Sequence, residues 1–288
     1  MNPTFPVIQA SALRKVYRSR FSRREVVALD RLDLELGWGE VLGLLGPNGA
    51  GKTTSMHLLL GFLKPTSGTI RLFGGDPSER AVRARIGFLP EESPFPTRFT
   101  AEETLRFYGR LFRIPSGELR LQVDELLHRV GLDRVRHRRV GEFSKGMKRR
   151  LGIAQALLND PDLVVLDEPT AGLDPLGTRE VKEIVRSVRS RGASVILSSH
   201  LLSDLEAVCD RVVMLHGGRV VREGRLAELL SRPDECRLAF RGLNPHGVQA
   251  LIDEALRRDC EVVSMGPGQE SLEEFFLRAL GDSDETCR

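Results

Sequence analysis

The chain has 288 residues, 41% hydrophobic and 29% charged, a net charge of +3 and four cysteines. That length holds one large α/β domain and a small appendage, and no stretch nears the roughly 18 apolar residues of a membrane span. The small charge gives no argument for nucleic acid, the start MNPTFPVIQASALRK lacks a signal-peptide pattern and so predicts a cytoplasmic protein, and the scattered Cys209, Cys236, Cys260 and Cys287 read as reduced thiols.

Residues 7–13 have the pattern of a short strand. The basic run RKVYRSRFSRRE follows; it holds Tyr17 and reads as a solvated loop. In LDLELGWGE, Leu32, Leu34 and Leu36 alternate with Arg31, Asp33 and Glu35, which predicts a half-buried strand closed by a glycine turn at Gly37 and Gly39.

Residues 41–60 then read as a short apolar strand, a glycine-rich turn and an apolar helix. The turn, Gly46-Pro47-Asn48-Gly49-Ala50-Gly51-Lys52-Thr53, fits G-x-x-x-x-G-K-[ST] without a mismatch. Glycines let the backbone curl until several N–H donors point inward at a phosphate tail, and the helix that follows adds the positive end of its dipole. Lys52 is placed to reach the outer phosphates, and the Thr53 hydroxyl to ligate Mg²⁺. These residues imply nucleotide binding.

Downstream, GTIRLF (68–73) predicts an edge strand, and IGFLP (86–90) a short buried strand running into the proline-rich loop EESPFPTRF. Thr100 and Glu103 fit a capping box for a helix TAEETLRFYGRLF. A second helix, near 120–130, places Val123, Leu126, Leu127 and Val130 on one face. Residues 92–159 thus form a helical subdomain inserted into an α/β core. The core resumes with LVVLDEPTAGLDP, whose apolar run is that of a parallel strand buried on both faces. A helix over 176–191, a strand SVILSS (194–199) ending at His200, a helix over 201–208 and a hairpin RVVMLHGGRVV complete it. From residue 223 onward, segments 236–240, 246–256, 261–265 and SLEEFFLRAL suggest a small β-α-β-α accessory domain without a catalytic constellation.

Asp167 stands at the C-terminal end of its strand, where open parallel sheets collect ligands, and is suited to hold Mg²⁺ through water. Glu168 faces the same site, and a second carboxylate there has polarising the attacking water as its natural work. His200 ends another apolar strand in the same way, which points it to the phosphate site.

With these residues in view, the sequence resembles the nucleotide-binding subunit of ATP-binding cassette (ABC) transporters over residues 7–222. The resemblance rests on GPNGAGKTT (46–54), FSKGMKRRL (143–151), LVVLDEP (163–169), AGLDP (171–175) and the SSH ending at His200. It implies a P-loop NTPase with a mixed sheet, an N-terminal antiparallel β-subdomain and an inserted helical subdomain, over residues 1–222, with a small α+β C-terminal domain over 223–288. It implies ATP and Mg²⁺ as cofactors. Gly46, Asn48, Gly49, Gly51, Lys52, Thr53 and Thr54 would bind nucleotide, and Tyr17 would stack on the adenine. Thr53, Asp167 and Glu91 would hold Mg²⁺. Glu168 would be the catalytic carboxylate, His200 the γ-phosphate sensor, and Asp174 the organiser of the dimer contact. Ser144 and Gly146 would meet the ATP of a second copy.

Two departures from the family pattern matter. The signature, usually Leu-Ser-Gly-Gly-Gln, is Phe143-Ser144-Lys145-Gly146-Met147, which keeps the serine that can cap the next helix. Glu91 stands where the family commonly has glutamine. Both departures and the C-terminal unit resemble an exporter-like branch whose membrane proteins are separately encoded. The implied partners are a permease subunit and a second copy, at the cytoplasmic face of the membrane, with no specific nucleic acid. A soluble cassette ATPase serving a scaffold or assembly complex remains the alternative; a small-molecule kinase is disfavoured, since no second-substrate motif is visible.

Overall fold

The computed structural model describes residues 5–18, 25–230 and 244–258. Two long strands open it, β1 (Ile8–Arg18) and β2 (Glu25–Leu36), paired antiparallel. Ile8, Ala10 and Leu13 of β1 and Leu29, Leu32, Leu34 and Leu36 of β2 are buried, so the predicted alternation faces the core. The register breaks between Ala10 and Leu13, where Ala12 takes φ 49° and its N–H donates to Asp33 Oδ1 at 2.7 Å. A bulge of this kind leaves one backbone donor unpaired, and the aspartate supplies the acceptor. Past the bulge β1 continues to Arg18, so Tyr17 lies on a strand, paired with Val26, rather than in the expected solvated loop.

The chain then enters the second sheet with β3 (Val41–Leu45), followed by α1 (Lys52–Leu59), and returns with β4 (Ser67–Leu72) to the free side of β1. The first sheet is therefore β2-β1-β4, with β4 the edge strand as predicted. After α2 (Arg80–Arg83) and β5 (Ile86–Leu89) come α3 (Ala101–Leu111), α4 (Ser116–Arg129) and α5 (Lys145–Ala156). Both halves of the capping box form: Glu103 N–H donates to Thr100 Oγ1 at 3.2 Å, and Thr100 N–H to Glu103 Oε2 at 2.8 Å. Pro115 at the N-cap starts α4 at Ser116, earlier than the predicted 120, because proline suits a helix entry and lacks only a donor.

The remainder is β6 (Leu163–Leu166), α6 (Pro175–Ser190), β7 (Ser194–Ser199), α7 (Leu202–Glu206), β8 (Arg211–His216), β9 (Arg219–Arg225) and α8 (Leu226–Leu229). The second sheet runs β5-β6-β7-β3-β8-β9, parallel except for the last antiparallel pair. Its strands feed two cores by alternation. Val41, Val164, Leu166, Val195 and Leu197 join the helices on one face, whereas Leu42, Leu44, Leu163, Val165 and Ile196 join α1 and the first sheet on the other. That double burial explains the unbroken apolar runs.

The chain divides into two compact units, residues 1–230 and 231–288. β9 runs past residue 222 to Arg225, and α8 follows it within the first unit. In the second unit the described residues form α9 (Pro245–Arg257), capped by Asn244 Oδ1 accepting from Gly247 N–H at 2.8 Å. The predicted segments 236–240, 261–265 and SLEEFFLRAL lie outside the described residues.

Candidate active site

Because β3, β6 and β7 run parallel and adjacent, their C-terminal ends deliver the phosphate loop, Asp167-Glu168 and His200 to one edge of the sheet. Glycine is obligatory at two places in the loop. A Cβ on Gly46 would stand 2.3 Å from Leu215 O, and Gly51 has φ 105° with Ala28 O 2.7 Å from its would-be Cβ. Gly49, also at positive φ (79°), faces open space. The loop is pinned from behind, with Gly218 N–H donating to Ala50 O at 3.1 Å, so its concave side is preformed. Asn48 is exposed on it, and Thr54 is half-buried in the first turn of α1.

Lys52 is buried, 6% exposed, and its ammonium donates to Gly46 O at 2.7 Å. The same Nζ lies 3.2 Å from Glu168 Oε1. The other carboxylate oxygen, Oε2, lies 2.8 Å from His200 Nδ1. Glu168 takes φ 50°, a left-handed backbone that costs a non-glycine residue on the order of 1–3 kcal/mol. Its N–H donates to Ser198 Oγ at 2.8 Å, and Ala171 N–H returns to Glu168 O at 3.1 Å, so the turn is held on both sides.

Thr53 Oγ1 donates to Asp167 Oδ2 at 2.8 Å, and Ser198 Oγ donates to Oδ1 at 2.6 Å. A hydroxyl and a carboxylate side by side are hard oxygen donors of the kind Mg²⁺ takes, the rest of its shell coming from phosphate and water. Among the described residues no group of three or more His, Cys, Asp or Glu could hold a metal by itself, which suits this sparse site. The residues fit the ion. The Glu91 carboxylate is exposed, and it is the backbone of Glu91 that is tied into the centre.

That tie is Arg149, which lies in the signature stretch FSKGMKRRL. The structure buries it to 5% exposure. Its guanidinium donates to the carbonyls of Pro90 (2.6 Å), Glu91 (2.9 Å), Glu168 (2.5 Å) and Pro169 (3.3 Å), and to that of Asp167. Burial pushes its pKa down to about 10, against the pull of Asp167, Glu91 and Glu168. One fork thus joins α5 to the loops after β5 and β6. The spacing held the signal: Arg149 lies three and four residues before Gly152 and Ile153 on the buried face of α5.

Ser144 caps α5, its Oγ accepting from Met147 N–H at 3.2 Å. Gly146 faces the AGLDP loop, where a Cβ would lie 3.3 Å from Leu173 Cδ2. Asp174 caps α6 through Gly177 N–H at 2.8 Å. Among the described residues no hydrogen bond or ion pair links Ser144, Gly146 or Asp174 to residues 46–53 of the same chain. Tyr17 is 42% exposed on the first sheet, with Lys15 Nζ 5.3 Å from its ring centre.

A family model described as ABC transporter matches residues 29–171. An ABC transporter ATP-binding protein of Synechocystis sp. is 36% identical over 95% of this chain and 84% of its own length. Nod factor export ATP-binding protein I of Rhizobium meliloti is 39% identical over 80% of this chain and 69% of its own. Among solved structures, cbiO1 of Clostridium perfringens, part of the ABC transporter complex cbiONQ, superposes with a TM-score of 0.68 at 27% identity, over 88% of this chain and 97% of that one. The chain belongs to the ATP-binding subunits of ABC transporters and is an ATPase of that family.

Proposed function

We propose that this subunit hydrolyses Mg·ATP with Glu168 as general base, in a head-to-tail pair of copies that drives a membrane-spanning permease at the cytoplasmic face. The observation that carries the reading is the buried Glu168 carboxylate, 3.2 Å from Lys52 Nζ and 2.8 Å from His200 Nδ1. A buried carboxylate between two phosphate-directed groups is suited to accept a proton from the attacking water. His200, 50% exposed at its side chain, then offers its outward edge to the transferred phosphoryl group. Mg²⁺ held by Thr53 and Asp167 would neutralise charge that develops on the phosphate oxygens. Gly46, Asn48, Gly49, Gly51 and Thr54 supply the cradle, and Tyr17 an exposed ring for the adenine.

The separation of Ser144 and Gly146 from their own phosphate loop supports their action in trans. The N-terminus of α5, capped by Ser144, is an anion-binding end that another copy's ATP would complete. Asp174, beside it, holds the start of α6 at the same face. Glu91 and the helical subdomain are the proposed route to the permease. Leu111 is 62% exposed, with Phe107 and Phe112 exposed beside it, an apolar patch that a partner would cover. The relative named for Nod factor export supports an export direction. The smaller C-terminal unit is assigned an accessory role.

The test is to tag a Glu168→Gln variant, hold it with ATP and Mg²⁺, and identify what co-purifies from detergent-solubilised membranes. A stoichiometric polytopic membrane protein supports the transporter role. Recovery of soluble assembly factors alone contradicts it while leaving the ATPase chemistry intact.

A further inference from the structure

A cleft of about 560 Å³ lies in the helical subdomain, away from the phosphate loop, lined by Glu102, Arg106 and Arg110 of α3, Ser116, Arg120 and Asp124 of α4, and the loop residues Arg136 and His137. The helices run antiparallel across it, and each shows one residue in four to the cleft. Its floor is tightly closed: Leu119 packs on Gly109, where a Cβ would come within 2.1 Å of Leu119 Cδ1. The volume falls in the range of ordinary small-ligand sites.

Charge is distributed unevenly along this cleft. At one end Arg136 bridges both carboxylates, reaching Glu102 Oε2 at 2.8 Å and Asp124 Oδ1 at 2.5 Å, and Arg106 takes the remaining oxygen of Glu102 at 2.5 Å. The Arg136 hydrogen bond, with the charges of Arg136, Arg120 and Arg106 behind it, holds the Asp124 carboxyl below the usual carboxylate range. Both acids are therefore occupied by arginine. Further along the helices, the guanidinium groups of Arg110 and Arg120 make no hydrogen bond or salt bridge to a described residue, although the charge of Arg120 reaches Asp124. Ser116, which also lines the cleft, opens α4 without a side-chain cap, so its own N–H has no partner within the helix. Four arginines against two carboxylates leave an excess of positive charge where the guanidinium forks are free.

We infer that this cleft is a binding site for a phosphate-bearing anion, gripped by Arg110 and Arg120 with the Ser116 end of α4. Guanidinium forks match phosphate oxygens two at a time, and an uncapped helix start adds backbone donors. The arginines repel one another when no anion lies between them, and a phosphate relieves that repulsion. A membrane headgroup and a soluble phosphate present the same chemistry to these residues. The inference is independent of the hydrolytic assignment, since none of these residues belongs to the nucleotide site.

The experiment uses the full chain with its phosphate loop saturated by Mg·ADP. Inorganic phosphate is titrated calorimetrically in one arm, and vesicles of phosphatidylglycerol or of phosphatidylcholine are sedimented with the protein in the other. Arg110→Gln with Arg120→Gln is compared with Arg138→Gln with Arg179→Gln, which removes the same charge elsewhere; unchanged ADP affinity certifies folding of both. Binding weakened at least tenfold by the first pair and not by the second supports the site. Loss confined to phosphatidylglycerol vesicles assigns it to a headgroup, and loss confined to inorganic phosphate assigns it to a soluble anion. Equal weakening by both pairs, or no binding in either arm, overturns it.

Discussion

His200 Nδ1 lies 2.8 Å from Glu168 Oε2, so the histidine at the end of β7 and the carboxylate after β6 form one hydrogen-bonded unit across neighbouring strands. The ring orients the carboxylate from its exposed side while Lys52 holds it from within. His200→Ala removes the first restraint and the outward-facing group together. The expected result is a fall in turnover of roughly 10²-fold, the scale of losing a positioned acid–base partner, with little change in ATP affinity. Steady-state hydrolysis and equilibrium nucleotide binding, measured on the same preparation, separate the two.

Arg149 is a positioning residue. Lysine in its place keeps the charge but has a single ammonium where a five-donor fork spans the carbonyls of Pro90, Glu91, Asp167, Glu168 and Pro169. Arg149→Lys is expected to lower kcat by about tenfold or more while KM stays within about threefold, because displacement of the Glu168 loop by a fraction of an ångström costs rate before it costs binding. Its pKa, lowered to about 10, keeps the group charged throughout the neutral range. With a folded value below the ordinary guanidinium range, its titration raises stability only as pH climbs past about 10. The wild-type melting temperature therefore carries no contribution from Arg149 titration between about pH 6 and 9.

Gly146 sits where α5 meets the AGLDP loop. Gly146→Asp places a carboxylate at the helix end assigned to a second copy's γ-phosphate. Turnover is expected to fall by at least about tenfold, by charge repulsion at a preorganised anion site, while a single subunit binds ATP as before. Light scattering with ATP, in a Glu168→Gln background, should show the pair of copies lost.

Thr100 tests the helical subdomain without touching the site. Thr100→Ala removes the Oγ1 that accepts from Glu103 N–H at the start of α3 and leaves the backbone donor of residue 100 to Glu103. The expected cost is about 1 kcal/mol, or a melting temperature lower by roughly 2–4 °C for a domain of this size. Calorimetric melting measures it directly, and hydrolysis should be unaffected.

What could be seen in the chain beforehand follows from how local each constraint is. The phosphate loop was legible because Gly46 and Gly51 answer to backbone crowding within a few residues of a strand and a helix. Asp167, Glu168 and His200 were legible because parallel strands end at one edge, so position at a strand end implied position at the site. Arg149 was not, since its burial depends on carbonyls from two loops distant in sequence, and its neighbours Lys148 and Arg150 gave the stretch the look of a surface. Tyr17 was misplaced in a loop because the bulge at Ala12 breaks the alternation that marks a strand. The arginine cleft was hidden because its lining comes together from α3, α4 and residues 136 and 137, which sequence distance does not reveal.

The most direct measurement is ATP hydrolysis by Glu168→Gln beside its affinity for Mg·ATP. Removing one buried negative charge 3.2 Å from Lys52 should leave affinity equal or tighter, while turnover drops by at least about 10²-fold with loss of the general base. Hydrolysis at the wild-type rate in a variant that binds ATP normally would contradict the assignment of Glu168 and, with it, the account of the site.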